Sequence, residues 1–257
     1  MLSYLKEAIS SSAERAMVNC FSFLSFSVTE RKLEDLPEEF VVEVRIFSDP
    51  SHGQNKTMDD LIQYFGLIMN EVWQISFMIF RGVSRILSAK LSNRNYTFTR
   101  FGRDRELNQR IINLCGTVGR FYNYVKATLT EDTQDAIMYV SGPSVFFFSG
   151  CSNYCNVCKK NPVTTQTLKV GPPGPDEARI IAHELGHLLG MTHEGHCPWY
   201  STKGKERRRC KGKDHGYVLG RGKPPHYFSY CLQDQARGCL MTKTKRCFEL
   251  TGGKKIF

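Results

Sequence analysis

The chain has 257 residues, 41% of them hydrophobic, and a formal net charge of +10. That length supports one sizeable core or a core with an appendage, and the apolar share is ordinary for a globular domain. No apolar run approaches the ~18 residues of a membrane-spanning helix, so Ile75–Phe80 and Val145–Phe148 read as buried strands or helix faces.

Residues 1–36 mix Ser, Glu, Lys and Arg without a strand pattern and read as an N-terminal extension or the remnant of a pro-segment. Val18–Val28 is short, interrupted by Asn19 and preceded by Glu14, so it makes no convincing signal peptide. Residues 37–257 form the main domain. Phe40–Phe47 is rich in Val and Ile and predicts a strand. Thr57 can cap a helix, with Asp59 and Asp60 in its first turn and Leu61, Ile62, Phe65, Ile68, Val72 and Ile75 at helical spacing. Tyr96–Phe101 predicts a second strand. Leu107 to about Leu129 predicts a second helix, weakened by Gly116 and Gly119. Asp135–Ser141 and Ser144–Ser149 are further strands. Strands alternating with helices, followed by an irregular cysteine-bound end, indicate an α/β domain.

The next segment carries chemistry. From His183 to His193 the chain reads His-Glu-Leu-Gly-His-Leu-Leu-Gly-Met-Thr-His, the spacing H-E-x-x-H-x-x-G-x-x-H. On a helix His183 and His187 stand one turn apart on one face, so both imidazoles can reach one metal ion. Gly190 tolerates the backbone angles of a sharp turn that returns His193 as a third ligand. Catalytic zinc takes three protein ligands and keeps a fourth position for water, and Glu184 stands beside the first ligand as the base for that water. Pro175 suits the first helical position, and Asp176 and Glu177 favour the positive end of the helix dipole. Beyond the motif the chain is loop-rich until Ser229, which caps a short helix to Ala236.

Ten cysteines are present, eight of them from Cys151 onward. Such density indicates an oxidising compartment and a disulfide framework. The alternative is a second, structural zinc site on Cys155-Asn-Val-Cys158, although no second close Cys or His pair stands out. Cys115 falls inside a predicted helix and reads as a buried free thiol. Lys203, Lys205, Arg207, Arg208, Arg209, Lys211 and Lys213 concentrate positive charge in one loop. It is either a solvated loop or a binding surface for acidic substrates or polyanionic glycans. Charge alone would also permit nucleic acid; the cysteines argue against it. His52, His196, His215 and His226 lack ligand spacing and read as surface residues.

Residues from about 39 to 247 resemble the adamalysin (reprolysin) catalytic domain of the metzincin zinc proteases, and are similar to secreted arthropod salivary and venom metalloproteases. The resemblance rests on Val41-Val42-Glu43-Val44, Asp135-Ala136-Ile137 with Ser141-Gly142, Ala182 to His187, Phe228-Ser229-Tyr230-Cys231 and Gly238-Cys239-Leu240. It implies a metzincin fold: a twisted, mostly parallel sheet with long helices, a zinc helix and a small irregular disulfide-linked C-terminal subdomain. It implies a secreted, monomeric zinc endopeptidase acting on extracellular proteins, with no nucleic-acid partner and no membrane span. Substrate would add as a strand along Val145, Phe146 and Phe147, with Gly220 opening the wall Gly220–Pro225 of the specificity pocket. It implies disulfides Cys197–Cys231 and Cys151–Cys239. A calcium site on Glu43, Asp135 and the Cys239 carbonyl is also implied, with Thr242 in place of the usual asparagine.

Two residues depart from the family pattern. Glu194 follows the third histidine where Asp is usual, as in astacin-type peptidases. Leu219 aligns with the methionine of the turn beneath the zinc, because Glu194–Tyr230 contains no methionine; Met241 is its rival. A protease-like binding protein or toxin acting through the basic loop is the alternative from another functional class.

Overall fold

A computed structural model describes residues 42–53, 56–77, 89–93, 101–103, 110–129, 135–142, 150–168, 172–194, 218–220 and 227–248, with Leu36, Phe98 and Thr99. The extension 1–36, apart from Leu36, and the basic loop lie outside these residues. The chain runs β1 (Val44–Ser48), α1 (Pro50–Gly53), α2 (Met58–Phe77), β2 (Ala89–Asn93), β3 (Phe101–Arg103), β4 (Arg110–Ile112), α3 (Leu114–Thr128), β5 (Ala136–Ser141), β6 (Gly150–Ser152), β7 (Val163–Thr167), α4 (Pro175–Leu188) and α5 (Tyr230–Leu240). A 3-10 turn, Lys245–Phe248, follows α5.

The main sheet has the order β2-β1-β5-β7-β6. β1 pairs in parallel with β2 and β5, and β5 with β7; only β6 runs antiparallel, against β7. β3 and β4 form a separate hairpin-like pair. Alternation along each strand divides the core in two. Val44, Ile46, Ala136, Met138 and Val140 face the helices α2, α4 and α5, where Leu61, Phe65, Ile68, Ile181, Leu185, Leu232 and Ala236 complete one core. Phe47, Ile137, Tyr139 and Val163 face the other way and meet Val118, Phe121 and Val125 of α3.

Helix starts follow side-chain caps. Thr57 Oγ1 accepts from the Asp60 N–H at 3.2 Å while the Asp60 carboxylate accepts from the Thr57 N–H at 2.8 Å, a reciprocal cap at the start of α2. Asn113 Oδ1 accepts from the Gly116 N–H at 2.8 Å. That cap starts α3 at Leu114, seven residues beyond the predicted Leu107, and β4 occupies part of the difference. Of the predicted strand Tyr96–Phe101, the described residues Phe98 and Thr99 lie outside any strand and β3 begins at Phe101. Phe98 turns its ring onto Phe121 and Tyr124 while its N–H donates to Tyr139 Oη at 3.0 Å. β7 went unpredicted because its buried face is polar: Thr164, Thr165 and Gln166 are all fully buried. The predicted strand Ser144–Ser149 lies outside the described residues.

The disulfides correct two expectations. Cys151 bonds Cys115, not Cys239; Cys239 bonds Cys155, and Cys158 bonds Cys247. The reason is the pleat. Cys151 packs with the α3 core, beside Phe121 and Val163, while Cys239 sits on α5 in the opposite core. Cys115 is not a buried thiol, because the late start of α3 puts it, exposed, in the first turn within Cα reach of β6 at 5.3 Å. With Cys155 and Cys158 both oxidised, the zinc-knuckle alternative falls as well. Cys231 is disulfide-bonded; Cys197 lies outside the described residues.

His52 is a further correction. It is fully buried, not a surface residue, because α1 tucks it against the rings of Tyr64 and Phe65, with Nδ1 2.9 Å from Ser48 Oγ. Burial, then the nearby Lys56 charge, pushes its pKa down from 6.5 to about 4, against a smaller opposing pull from Asp49. The unfolded chain therefore binds a proton at His52 that the folded chain refuses. Stability at this site is retained above pH 6.5 and falls as the pH drops toward about 4. Urea titrations at stepped pH should show the His52→Phe variant losing less stability than the parent between pH 6.5 and 4, by an amount on the order of 2 kcal/mol. Equal slopes for the two proteins would refute the assignment.

Candidate metal centre

The zinc-motif helix α4 needs no side-chain cap at Gly174, since Pro175 opens it and Asp176 and Glu177 occupy its first turn. It ends where Gly190 adopts φ +92°, a left-handed angle open to glycine. A Cβ there would also stand 2.6 Å from the Cβ of Cys239. The turn is closed by the Gly190 N–H donating to the His187 carbonyl at 2.9 Å and the Met191 N–H to the Gly186 carbonyl at 2.9 Å.

These elements bring the three motif histidines together. His183 Nε2 lies 3.1 Å from His187 Nε2 and 3.1 Å from His193 Nε2. On the far side of two rings, His183 Nδ1 is 2.9 Å from the Val218 carbonyl and His187 Nδ1 is 2.8 Å from the Met191 carbonyl. A carbonyl can only accept, so both Nδ1 atoms carry the proton and both Nε2 atoms present lone pairs. Two lone pairs facing at 3.1 Å repel unless a cation lies between them. Nitrogens bound to tetrahedral zinc at ~2.0–2.1 Å stand about 3.3 Å apart, so the spacing fits the ion. Burial, and secondarily His193, pushes the His183 pKa down to about 3, which keeps its imidazole neutral and able to ligate.

Packing holds each ligand. The Gly186 face of α4 meets Leu219 and Phe228 so closely that a Cβ would lie 3.2 Å from Leu219 Cδ1 and 2.9 Å from Phe228 Cε1. Leu219 is therefore an apolar floor under the helix, while Met241 follows α5. The Glu194 N–H donates to the Leu219 carbonyl at 3.0 Å, tying the residue after His193 to that floor. Gln235 of α5 accepts from the Thr192 N–H at 2.8 Å. Tyr154 sets its ring edge-on to His187 at 4.9 Å. Sequence reasoning missed Gln235 and Tyr154, because neither lies in a motif.

Glu184 is buried, and its Oε2 accepts from Ser152 Oγ at 2.7 Å. Burial pushes its pKa up to about 8, partly offset by the Ser152 hydrogen bond. Gly150 is pressed against it: a Cβ there would meet Glu184 Cγ, Cδ and Oε1 at 2.3–2.4 Å. Both β6 residues were absent from the sequence reading.

Other expected sites fare differently. Val145, Phe146 and Phe147 lie outside the described residues, as do His196, His215 and His226. Gly220 follows Leu219 at the edge of the floor. Asp135 accepts from the Glu43 N–H at 2.9 Å, and its other oxygen lies 3.2 Å from Cys158 Sγ. The Cys239 carbonyl already accepts from the Thr242 N–H at 3.0 Å and from Thr242 Oγ1 at 2.6 Å. With these groups engaged, the geometry gives calcium no support. Asp135, Cys158 and Cys247 also cluster, but their sulfurs are bonded to each other.

Residues 98–250 match the family model for reprolysin (M12B) zinc metalloproteases. The chain belongs to the reprolysin family. The match spans more than half of the chain and includes all three histidines, Glu184 and β6. Comparison with curated proteins returns no match. Among the described residues no helix is long and apolar enough to cross a membrane.

Gly150 offers a direct check on the reprolysin site. Gly150→Ala should displace Glu184 and lower peptide hydrolysis by about tenfold or more, as misplacement of a catalytic group does. Zinc per chain, measured by atomic absorption, should stay at the parent value because the histidines are untouched. Unchanged hydrolysis would show that Glu184 does not need this close contact.

Proposed function

We propose that this reprolysin is a secreted zinc endopeptidase that cleaves extracellular proteins. The convergence of three Nε2 atoms, with the buried Glu184 next to His183 in the chain, carries this reading. His183, His187 and His193 would hold the zinc. Bound zinc supplies Lewis acidity, lowering the pKa of water from ~16 toward ~7 and polarising a carbonyl. Glu184 takes the proton from the attacking water and returns it to the leaving amine. Burial raises its pKa, which favours the protonated form that donates to the leaving amine. Val218 and Met191 keep the imidazoles in the ligating tautomer through their carbonyls.

The cysteine density, with three disulfides among the described residues, supports secretion into an oxidising compartment. Sequence resemblance alone supports substrate pairing along residues 144–149 and the likeness to arthropod salivary and venom proteases.

Casein digestion tests the proposal. A chelator such as 1,10-phenanthroline should abolish cleavage, and added zinc should restore it. Glu184→Ala should lower the rate by about 10²–10⁴-fold while zinc remains bound. Chelator-resistant cleavage, or full activity in Glu184→Ala, would overturn it.

A further inference from the structure

β6 is only three residues long, and its pleat gives it two jobs. Gly150 and Ser152 face α4, while Cys151 faces α3 and is bonded there to Cys115. The strand is further fixed by its antiparallel register on β7, in which Ser152 stands opposite Thr164. Each residue on the α4 side meets one part of Glu184. Gly150 leaves room for its Cγ, Cδ and Oε1, and Ser152 Oγ donates to Oε2 at 2.7 Å.

The direction of the hydrogen bonds follows from proton count. Ser152 has one hydroxyl proton and gives it to the Glu184 carboxylate, so in its short contact with Thr164 it accepts; Thr164 Oγ1 shares its proton between Ser152 and the Cys151 carbonyl, 3.4 Å away. Thr164, fully buried, thus orients Ser152, and Ser152 orients the carboxylate. A glutamate has three side-chain torsions, and without such a bond the carboxyl plane would be free to rotate. We propose that Ser152 is the positioning residue for Glu184: its hydroxyl, in contact with Thr164, fixes Oε2 and with it the plane of the carboxylate that exchanges the proton. This rests on Glu184 being the general base, as argued above.

Steady-state cleavage of a fluorogenic peptide by the zinc-loaded full chain separates the two claims. Ser152→Ala should lower kcat by about tenfold, with KM within about twofold and zinc per chain unchanged. Thr164→Val, which keeps the buried shape, should lower kcat several-fold with the same pattern, and it carries the test if Ser152→Ala fails to fold. Because Ser152 acts only through Glu184, the Ser152→Ala/Glu184→Ala double variant should be no slower than Glu184→Ala alone. The inference is overturned if either single variant keeps the parent kcat. Loss of zinc in the single variants, or a further fall in the double variant, would equally sink it by showing a merely structural role. Full activity in Glu184→Ala would instead defeat the general-base reading itself, whatever Ser152 does.

Discussion

The site depends on holding the Nε2 lone pairs of His183 and His187 against one another, with His193 Nε2 brought to the same point. The Nε2 atoms of His183 and His187 at 3.1 Å with no proton between them are an unfavourable arrangement for the protein alone. The fold imposes it by engaging the opposite ring nitrogens with backbone carbonyls. One carbonyl, that of Met191, comes from the turn that Gly190 makes possible; the other, that of Val218, comes from the floor segment. Two separate stretches of chain thus fix the tautomers of two ligands. A metal ion that binds the folded form would relieve the repulsion and stabilise the fold by mass action.

The same turn explains the tie between α4 and the C-terminal part of the domain. Gly190 lies against Cys239, which is bonded to Cys155. The Cys155 N–H in turn donates to the His187 carbonyl at 3.0 Å, and the Val157 N–H to the Leu188 carbonyl at 3.1 Å. The last carbonyls of the zinc helix thus gain partners from a segment that a disulfide anchors to α5, in addition to the Gly190 N–H that the His187 carbonyl accepts. Gln235 of α5 completes the tie at Thr192, beside the third ligand.

Much of this was legible in the sequence where a local rule governs. The ligand spacing, the Pro175 start and the Gly190 stop are all short-range, and α4 has the bounds they imply. The helix from Thr57 follows from its cap and its apolar period. The failures share one cause: the deciding interaction was with a distant residue. β7 is polar yet buried because Thr164 and Thr165 find partners at Ser152 and Leu114, far along the chain. Phe98, predicted inside a strand, instead packs on the aromatic cluster of α3, and β3 begins only at Phe101. Cysteine partners could not be had from spacing, because the face on which Cys151 lies is set by the β6–β7 register.

The departures at Glu194 and Leu219 acquire a physical meaning from the fold. The Glu194 N–H and the Leu219 carbonyl bond to each other, so the two positions meet at one junction. Leu219 fills the space beneath Gly186 with a branched apolar side chain, and Phe228 closes the remainder. A floor of this kind needs volume and apolarity, which leucine supplies as methionine does; it needs no sulfur, since nothing there ligates. What leucine gives up is methionine's capacity to adapt to an irregular gap. Phe228, packed against the same glycine, leaves little gap to adapt to, and the ligands above stand on a floor fixed from both sides.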